Sequence, residues 1–356
     1  MQKKLLDIFS HPGKVYSAGR EELLPVLTKK QRENLIHSKN SKQIDHEIKT
    51  LEKKGIHFMH RESPEYPERL LQIYDPPSVL YYIGRLPDFS FPLLAMVGAR
   101  QATIYGRNMA ERFAFVLAEQ GVQIISGLAA GVDAASHRGA LEGSGYTVGV
   151  LGGGIDTIYP RENYHLYQKL YQGGCVISEY NLGIPNQKGL FPLRNRIISG
   201  LSDGVFVVEA GIKSGSLITA DQGLEQGKDI FALPGRITDR LSQGCNRLIS
   251  QGAILVREPQ DILEILPDIP DQKKKEASAL NPMTGTKMIG TGRKTEITLE
   301  ENQRRLYDLL DEIHPLSFNE LLEKSGLPLE KLQHILLELE MENLIIQPQQ
   351  NIYLLK

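Results

Sequence analysis

The segment Lys188-Gly-Leu-Phe191-Pro-Leu-Arg194-Asn195-Arg196 places an ammonium, two guanidinium groups and an aromatic ring within nine residues. Fixed cations beside a ring suit a ligand that offers phosphates to grip and a base to stack. Solvated charges on an ordinary αβ connection have the same composition. The segment alone leaves both readings open.

Other turns carry compatible chemistry. Val97-Gly-Ala-Arg100 ends an apolar run, and Gly106 lies at the start of the next helical pattern. Dinucleotide binding would want G-x-G-x-x-G here and an acid closing the following strand. The chain has Arg100 in the turn and Ser126 at that strand end, which argues against NAD or FAD and suits a free phosphate. In Ser126-Gly127-Leu-Ala-Ala-Gly131-Val-Asp133, two glycines allow close backbone approach and an anion-binding concavity. Asp133 and His137 stand four apart, but no third metal ligand is evident and a structural hydrogen bond is the expected role. Gly152-Gly-Gly-Ile-Asp156 is a third glycine turn.

In Glu209-Ala-Gly-Ile-Lys213-Ser214-Gly215-Ser216-Leu-Ile-Thr219, the pair Lys213-Ser214 suggests a Walker A loop, yet Ile212 stands where its glycine is required. Ser214, Gly215 and Ser216 instead offer capping hydroxyls and unpaired N–H groups at a helix start, suited to an anion. No catalytic triad, cofactor motif or metal cluster is apparent, so binding is expected rather than chemistry.

These turns need a frame that gathers them. Leu93–Val97, Val122–Ser126, Thr147–Leu151, Cys175–Ser178, Val205–Glu209, Ile230–Leu233 and Ala253–Val256 are near-continuous apolar runs, separated in several places by helical patterns such as Tyr105–Glu119. The alternation predicts an α/β fold with a doubly wound, mostly parallel sheet, whose ligands collect at strand carboxyl ends.

The 356 residues divide into four segments on this reading. Residues 1–62 read as short helices, residues 63–266 as the core and residues 267–296 as a flexible linker rich in Pro, Gly, Thr and Lys. Residues 297–356 read as a small winged helix, with amphipathic helices on Leu306/Leu309/Leu310/Ile313 and Leu332/Ile335/Leu336/Leu339, then a hairpin of Leu344–Ile346 with Ile352–Leu354. Net charge is −2 overall, but residues 1–62 carry +5 and residues 297–356 carry −6, so the two ends favour different partners. Two cysteines, Cys175 and Cys245, make no disulfide framework. No apolar run reaches the ~20 residues of a membrane span, and the opening residues turn polar too early for a signal sequence. A soluble cytoplasmic protein without membrane contact is expected.

In order, Val97-Gly-Ala-Arg100, Ser126–Asp133, Gly152–Asp156, Phe191–Arg196, Ser214–Thr219 and Leu233-Pro-Gly235 resemble the bacterial DNA-processing protein A family, DprA or Smf, over about Tyr66 to Leu266. The resemblance implies an extended Rossmann-like core, usually with a helical N-terminal domain of SAM or helix-hairpin-helix type and a C-terminal winged helix. It implies a non-enzymatic protein that binds and protects single-stranded DNA during natural transformation and loads the RecA recombinase. Arg100 and Lys188 would then contact phosphates and Phe191 would stack a base. Gly127 would line the pocket, and Arg194, Asn195 and Arg196 would shape it. A homodimer is implied, with Gly244–Ile249 as its patch. The N-terminal helical domain is expected to be shortened relative to the family.

The winged helix has an acidic candidate recognition helix, with Lys331 against Glu330, Glu338, Glu340 and Glu342. Duplex binding needs phosphate neutralisation, so this module is expected to contact protein. The alternative function is a nucleotide phosphoribohydrolase-like enzyme with Glu209 as acid/base, although the Pro-Gly-Gly-x-Gly-Thr motif of such enzymes is absent.

Overall fold

A computed structural model describes residues 5, 8–9, 12–39, 41–269, 301–310, 316–341, 344–349 and 352–355. The expected linker, apart from residues 267–269, and Ile313 lie outside the described residues.

The seven apolar runs form β3 (Leu93–Val97), β4 (Gln123–Ser126), β5 (Thr147–Gly154), β6 (Cys175–Tyr180), β7 (Gly204–Val207), β8 (Asp229–Ala232) and β9 (Ile254–Leu255). They stand parallel in the order β6-β5-β4-β3-β7-β8-β9. The chain builds outward from β3 to β6, then crosses back to lay β7 on the other side of β3. That reversal opens a crevice at the carboxyl ends of β3 and β7, the place where open α/β sheets bind ligands.

Two further strands extend the edge beside β6: β2 (Val79–Gly84), antiparallel to β6, and outside it β1 (His57–His60), antiparallel to β2. Residues 57–60 thus depart from the helical reading of residues 1–62. An edge strand with three exposed residues and one buried Met59 carries too little periodicity to announce itself. The helices α1 (Pro12–Ser17), α2 (Lys29–Ser38) and α3 (Ser41–Lys53) precede it. Leu51 and Ile56 pack into the cluster containing Leu128, Leu166 and Tyr167, and Lys54 pairs with Asp156 at 3.1 Å, so the end of this helical segment is fastened to the core.

The sheet has a core on each face. One face gathers Ala95, Val97, Val205 and Val207 with Ile197, Ile198 and Leu201 of α8 (Leu190–Leu201) and Ala220 of α9 (Gly215–Glu225). The other gathers Leu94, Met96, Phe206 and Phe231 with Ala110, Phe113 and Leu117 of α5 (Ile104–Glu119). Alternation along each strand sends neighbours to opposite layers. Phe113 and Phe206 stand 5.1 Å apart between ring centroids. Each such ring removed from water contributes about 1.5–3 kcal/mol. Thr103 starts α5 by accepting the Gly106 N–H at 3.0 Å. Between the strands lie α6 (Val132–Glu142) and α7 (Tyr164–Gly173), while α4 (Glu68–Leu71), α10 (Gln243–Ser250) and α11 (Pro259–Leu263) complete the core.

The C-terminal module, described by itself, has α12 (Glu301–Leu309), α13 (Phe318–Ser325) and α14 (Leu329–Met341) with a three-stranded sheet ordered β10-β12-β11. These strands are β10 (Leu316–Ser317), β11 (Ile345–Gln349) and β12 (Ile352–Leu355). Leu306, Leu321, Leu332, Ile335, Leu336 and Leu339 fill its core. The fold is therefore the mostly parallel α/β sheet followed by a winged helix that the sequence pattern indicates.

Candidate functional site

The β3–α5 turn is fixed from below before its side chains do anything. Ala99 donates its N–H to the Glu209 carbonyl at 2.7 Å, and its own carbonyl accepts from Val132 at 3.2 Å. Gly131 sits at φ +79°, where a Cβ would lie 2.2 Å from the Ala99 carbonyl oxygen. Only glycine lets α6 begin this close. The result is an exposed Arg100 held at the mouth of the crevice.

Across the crevice, α8 carries Phe191 in its first turn. The Arg100 guanidinium lies over that ring, 4.7 Å from the centroid. The ring packs on Gly152 at the end of β5, where an added Cβ would lie 2.8 Å away, and stands 5.9 Å from the half-exposed Tyr159 ring. Phe191 is half-buried and keeps part of its surface free.

Arg194 lies one turn further along α8 and is 5 % exposed. Its Nη1 donates to the Gly127 carbonyl at 2.7 Å and to the Val150 carbonyl. Asp133 accepts from the Gly127 and Ala129 N–H groups at 3.1 and 3.4 Å. Burial raises the Asp133 carboxyl above its ordinary range and lowers Arg194 to about 10, which leaves that guanidinium charged at neutral pH. Leu128, between the two glycines, is held at φ +54° by its packing on Gly149 and by Asn163, which donates to its carbonyl at 2.9 Å. His137 does not join Asp133: its Nδ1 meets the Thr147 hydroxyl at 2.6 Å inside the core.

On the third wall, Ser214 caps α9 and its Oγ lies 2.7 Å from Ser216 Oγ. Asn195 reaches the Gly215 carbonyl at 3.5 Å. The walls enclose a cleft of about 780 Å³. Arg100, Phe191, Arg194, Asn195, Ser214, Gly215 and Ser216 all line it, while Gly127 lies beneath Arg194.

Two expected residues are placed elsewhere. Arg196 points to Glu179, which accepts from Nη2 with both oxygens at 2.7 Å, and its Nε lies 3.6 Å from Asp75. It belongs to an ion pair beside the cleft. Lys188 is exposed two residues ahead of α8 and does not line the cleft. Conversely, Lys213 and Arg240 line the cleft and were not among the expected site residues. Lys213 was visible in the sequence inside the rejected Walker-like run. Arg240 had only a weak signal, a basic residue in the loop after the β8 strand. Asp133 is the one acidic side chain among the described lining residues, against four basic ones, so the cleft favours anions.

Glu209 is not available as an acid/base. It is 5 % exposed, and its carboxylate accepts the Thr103 N–H at 2.9 Å and the Thr103 hydroxyl at 2.5 Å. It clamps the start of α5 and does not line the cleft.

Fold and site together define an α/β protein with a cationic, ring-flanked cleft at the switch point of a doubly wound sheet. The chain belongs to the DNA recombination-mediator protein A family, whose pattern matches residues 57–267, and the DprA winged helix domain matches residues 293–348. Protein Smf of Escherichia coli is 45% identical over 238 residues, which are 65% of this chain and 64% of that protein. DNA processing protein DprA of Streptococcus pneumoniae is 46% identical over 198 residues, 56% of this chain and 70% of that one. Among solved structures, DNA processing protein A from Streptococcus pneumoniae superposes with a TM-score of 0.66 at 34% identity, over 75% of this chain and 93% of that one. The same protein from Helicobacter pylori, studied for its single-stranded DNA binding mode, gives 0.53 at 32% identity, over 58% of this chain and 94% of that one.

Proposed function

We propose that this chain binds single-stranded DNA across the cleft, protects it and passes it to a RecA-type recombinase, without catalysing a reaction. The observation that carries this reading is the Arg100 guanidinium held 4.7 Å over the Phe191 ring at the cleft mouth. A cation beside a ring serves a strand whose bases are unpaired: the ring's free surface takes a base while the cation takes the adjoining phosphate. A duplex hides its base faces, so the same pair has nothing to stack against there. Lys188, exposed on the approach to α8, extends the cationic track beyond the cleft. Membership of the family and the single-stranded DNA binding mode of the Helicobacter pylori relative support the same conclusion.

The chain acts as a homodimer in this reading. The expected patch contains Gly244 and Cys245, which are buried, with Gly244 packed tightly on Ala210. Leu248 and Ile249 are half-buried against the core, so the exposed Arg247 and the outer parts of Leu248 and Ile249 would form the contact. The acidic α14 then serves a protein partner inside the cell.

The test is titration of the full chain with oligonucleotides, single- and double-stranded, over a range of salt. Tight, salt-dependent single-strand binding that collapses in an Arg100→Glu/Lys188→Glu double variant is expected. Near-normal single-strand affinity in that variant would rule the site out.

A further inference from the structure

The inner end of the cleft holds polar groups that stacking and a passing backbone do not use. Thr219, one turn into α9 from Gly215, is 2 % exposed and lines the cleft. Its hydroxyl takes part in no hydrogen bond among the described residues and, unlike the fully enclosed unpartnered atoms, keeps a little open surface, which the cleft supplies. Arg194, itself 5 % exposed, also lines the cleft as a fixed positive charge, with Nη1 held by two carbonyls and the unpartnered Nε enclosed by protein. Beside them stands the N-terminus of the 11-residue α9, with the Ser214 and Ser216 hydroxyls 2.7 Å apart and the Gly215 amide without an intrahelical acceptor. Lys213 and Arg240 add positive charge to the same cavity.

This donor set exceeds what an internal phosphodiester can use. A diester offers two non-bridging oxygens and one charge. A phosphate monoester offers three oxygens and about −1.5 to −2 charge at neutral pH. The cavity of about 780 Å³ falls within the 300–1,000 Å³ typical of small-molecule pockets, room for one nucleotide rather than a length of strand.

We propose that the inner end of the cleft is a phosphate-monoester pocket, formed by Thr219, Ser216, Gly215 and Arg194, that receives a nucleotide bearing a terminal phosphate. The proposal deepens the single-strand reading and rests on it for the strand to which that nucleotide belongs. The phosphate sits on the α9 N-terminus while its base reaches the Phe191 ring. Two sources present this chemistry: the phosphorylated end of a DNA strand and a free nucleoside monophosphate.

The experiment compares binding of the full chain to oligothymidylate ending in 5′-phosphate, 3′-phosphate or hydroxyl only, to circular single-stranded DNA, and to dTMP against thymidine. A phosphorylated end is expected to bind about tenfold tighter than a hydroxyl end, the worth of one charge-assisted hydrogen bond, with dTMP competing better than thymidine. Thr219→Val and Ser216→Ala are each expected to bring the phosphorylated-to-hydroxyl ratio toward one. Competition by dTMP with no advantage for a phosphorylated strand assigns the pocket to the free nucleotide. Equal affinity for all strand ends, with dTMP no better than thymidine, overturns the proposal; circular DNA binding at full strength in that case leaves the single-strand reading standing. Failure of circular and linear strands alike to bind, with dTMP still retained, counts against the strand reading and for the pocket.

Discussion

A methyl group added to Gly127 would lie 2.4 Å from Nη1 of Arg194, inside the space the guanidinium occupies when it holds the Gly127 carbonyl. The turn after β4 and the first half of α8 therefore lock each other, and the cleft wall depends on a residue without a side chain. Gly127→Ala is expected to expel the guanidinium, costing about 1–3 kcal/mol through overpacking and weakening single-strand binding with it. Thermal unfolding and an oligonucleotide titration on the same preparation check both effects. An unchanged melting temperature would show that the wall yields more easily than its contacts imply.

Phe191 and Arg100 are expected to fail differently. Phe191→Ala removes a stacking face and costs about 1–3 kcal/mol of single-strand affinity, nearly independent of salt. Arg100→Ala removes a phosphate contact and lowers the slope of log affinity against log salt by about 0.7. Affinities measured at several salt concentrations separate the two. Identical salt slopes for both variants would mean that Arg100 touches no phosphate.

Glu209→Gln tests the clamp on the β3–α5 turn. The amide loses a charge-assisted acceptor for Thr103, which is expected to cost about 1–3 kcal/mol of stability. No free base is expected from nucleoside monophosphates with either protein. Base release by the native chain, followed by chromatography and abolished in the variant, would restore the hydrolase reading.

Acid is expected to weaken the fold through His137. Burial, reinforced by the charges of Arg194 and Arg138, lowers this imidazole from 6.5 to about 3. Below pH 6.5 the unfolded chain takes up a proton that the folded chain refuses. The contribution is whole above 6.5 and is lost as pH falls toward 3, at up to about 1.4 kcal/mol per pH unit. Denaturant unfolding from about pH 7.5 to about pH 5 is expected to show a shallower decline in His137→Gln than in the native chain. Parallel declines would assign the acid sensitivity elsewhere.

Removal of residues 297–356 is expected to leave single-strand affinity unchanged and to add no loss of duplex binding. The outward face of α14 presents Glu330, Lys331, Gln333, His334, Leu337, Glu340 and Met341, a mixed acidic and apolar surface that phosphates do not favour. A marked fall in affinity on truncation would place the wing on nucleic acid.

The sequence by itself determined the layered sheet, because runs such as Leu93–Val97 and Val205–Val207 are apolar at every position and stable only between two covering layers. It also determined the strand-end turns, since glycine, hydroxyl and cationic residues cluster just where each run stops. It carried much less about β1, whose three exposed edge positions mimic a loop, and about β2, whose residues are nearly all half-buried and show no clean alternation. The tertiary structure alone decided which cations the cleft keeps. Arg194 and Arg196 are two residues apart on one helix, and a helix turns successive positions to different faces, so one reaches the cleft while the other meets Glu179. The same folding carried Lys213 and Arg240 from distant loops to Arg100, and it committed Glu209 to Thr103. Local spacing fixes what a residue can do; only the packing of helices against the sheet fixes what it faces.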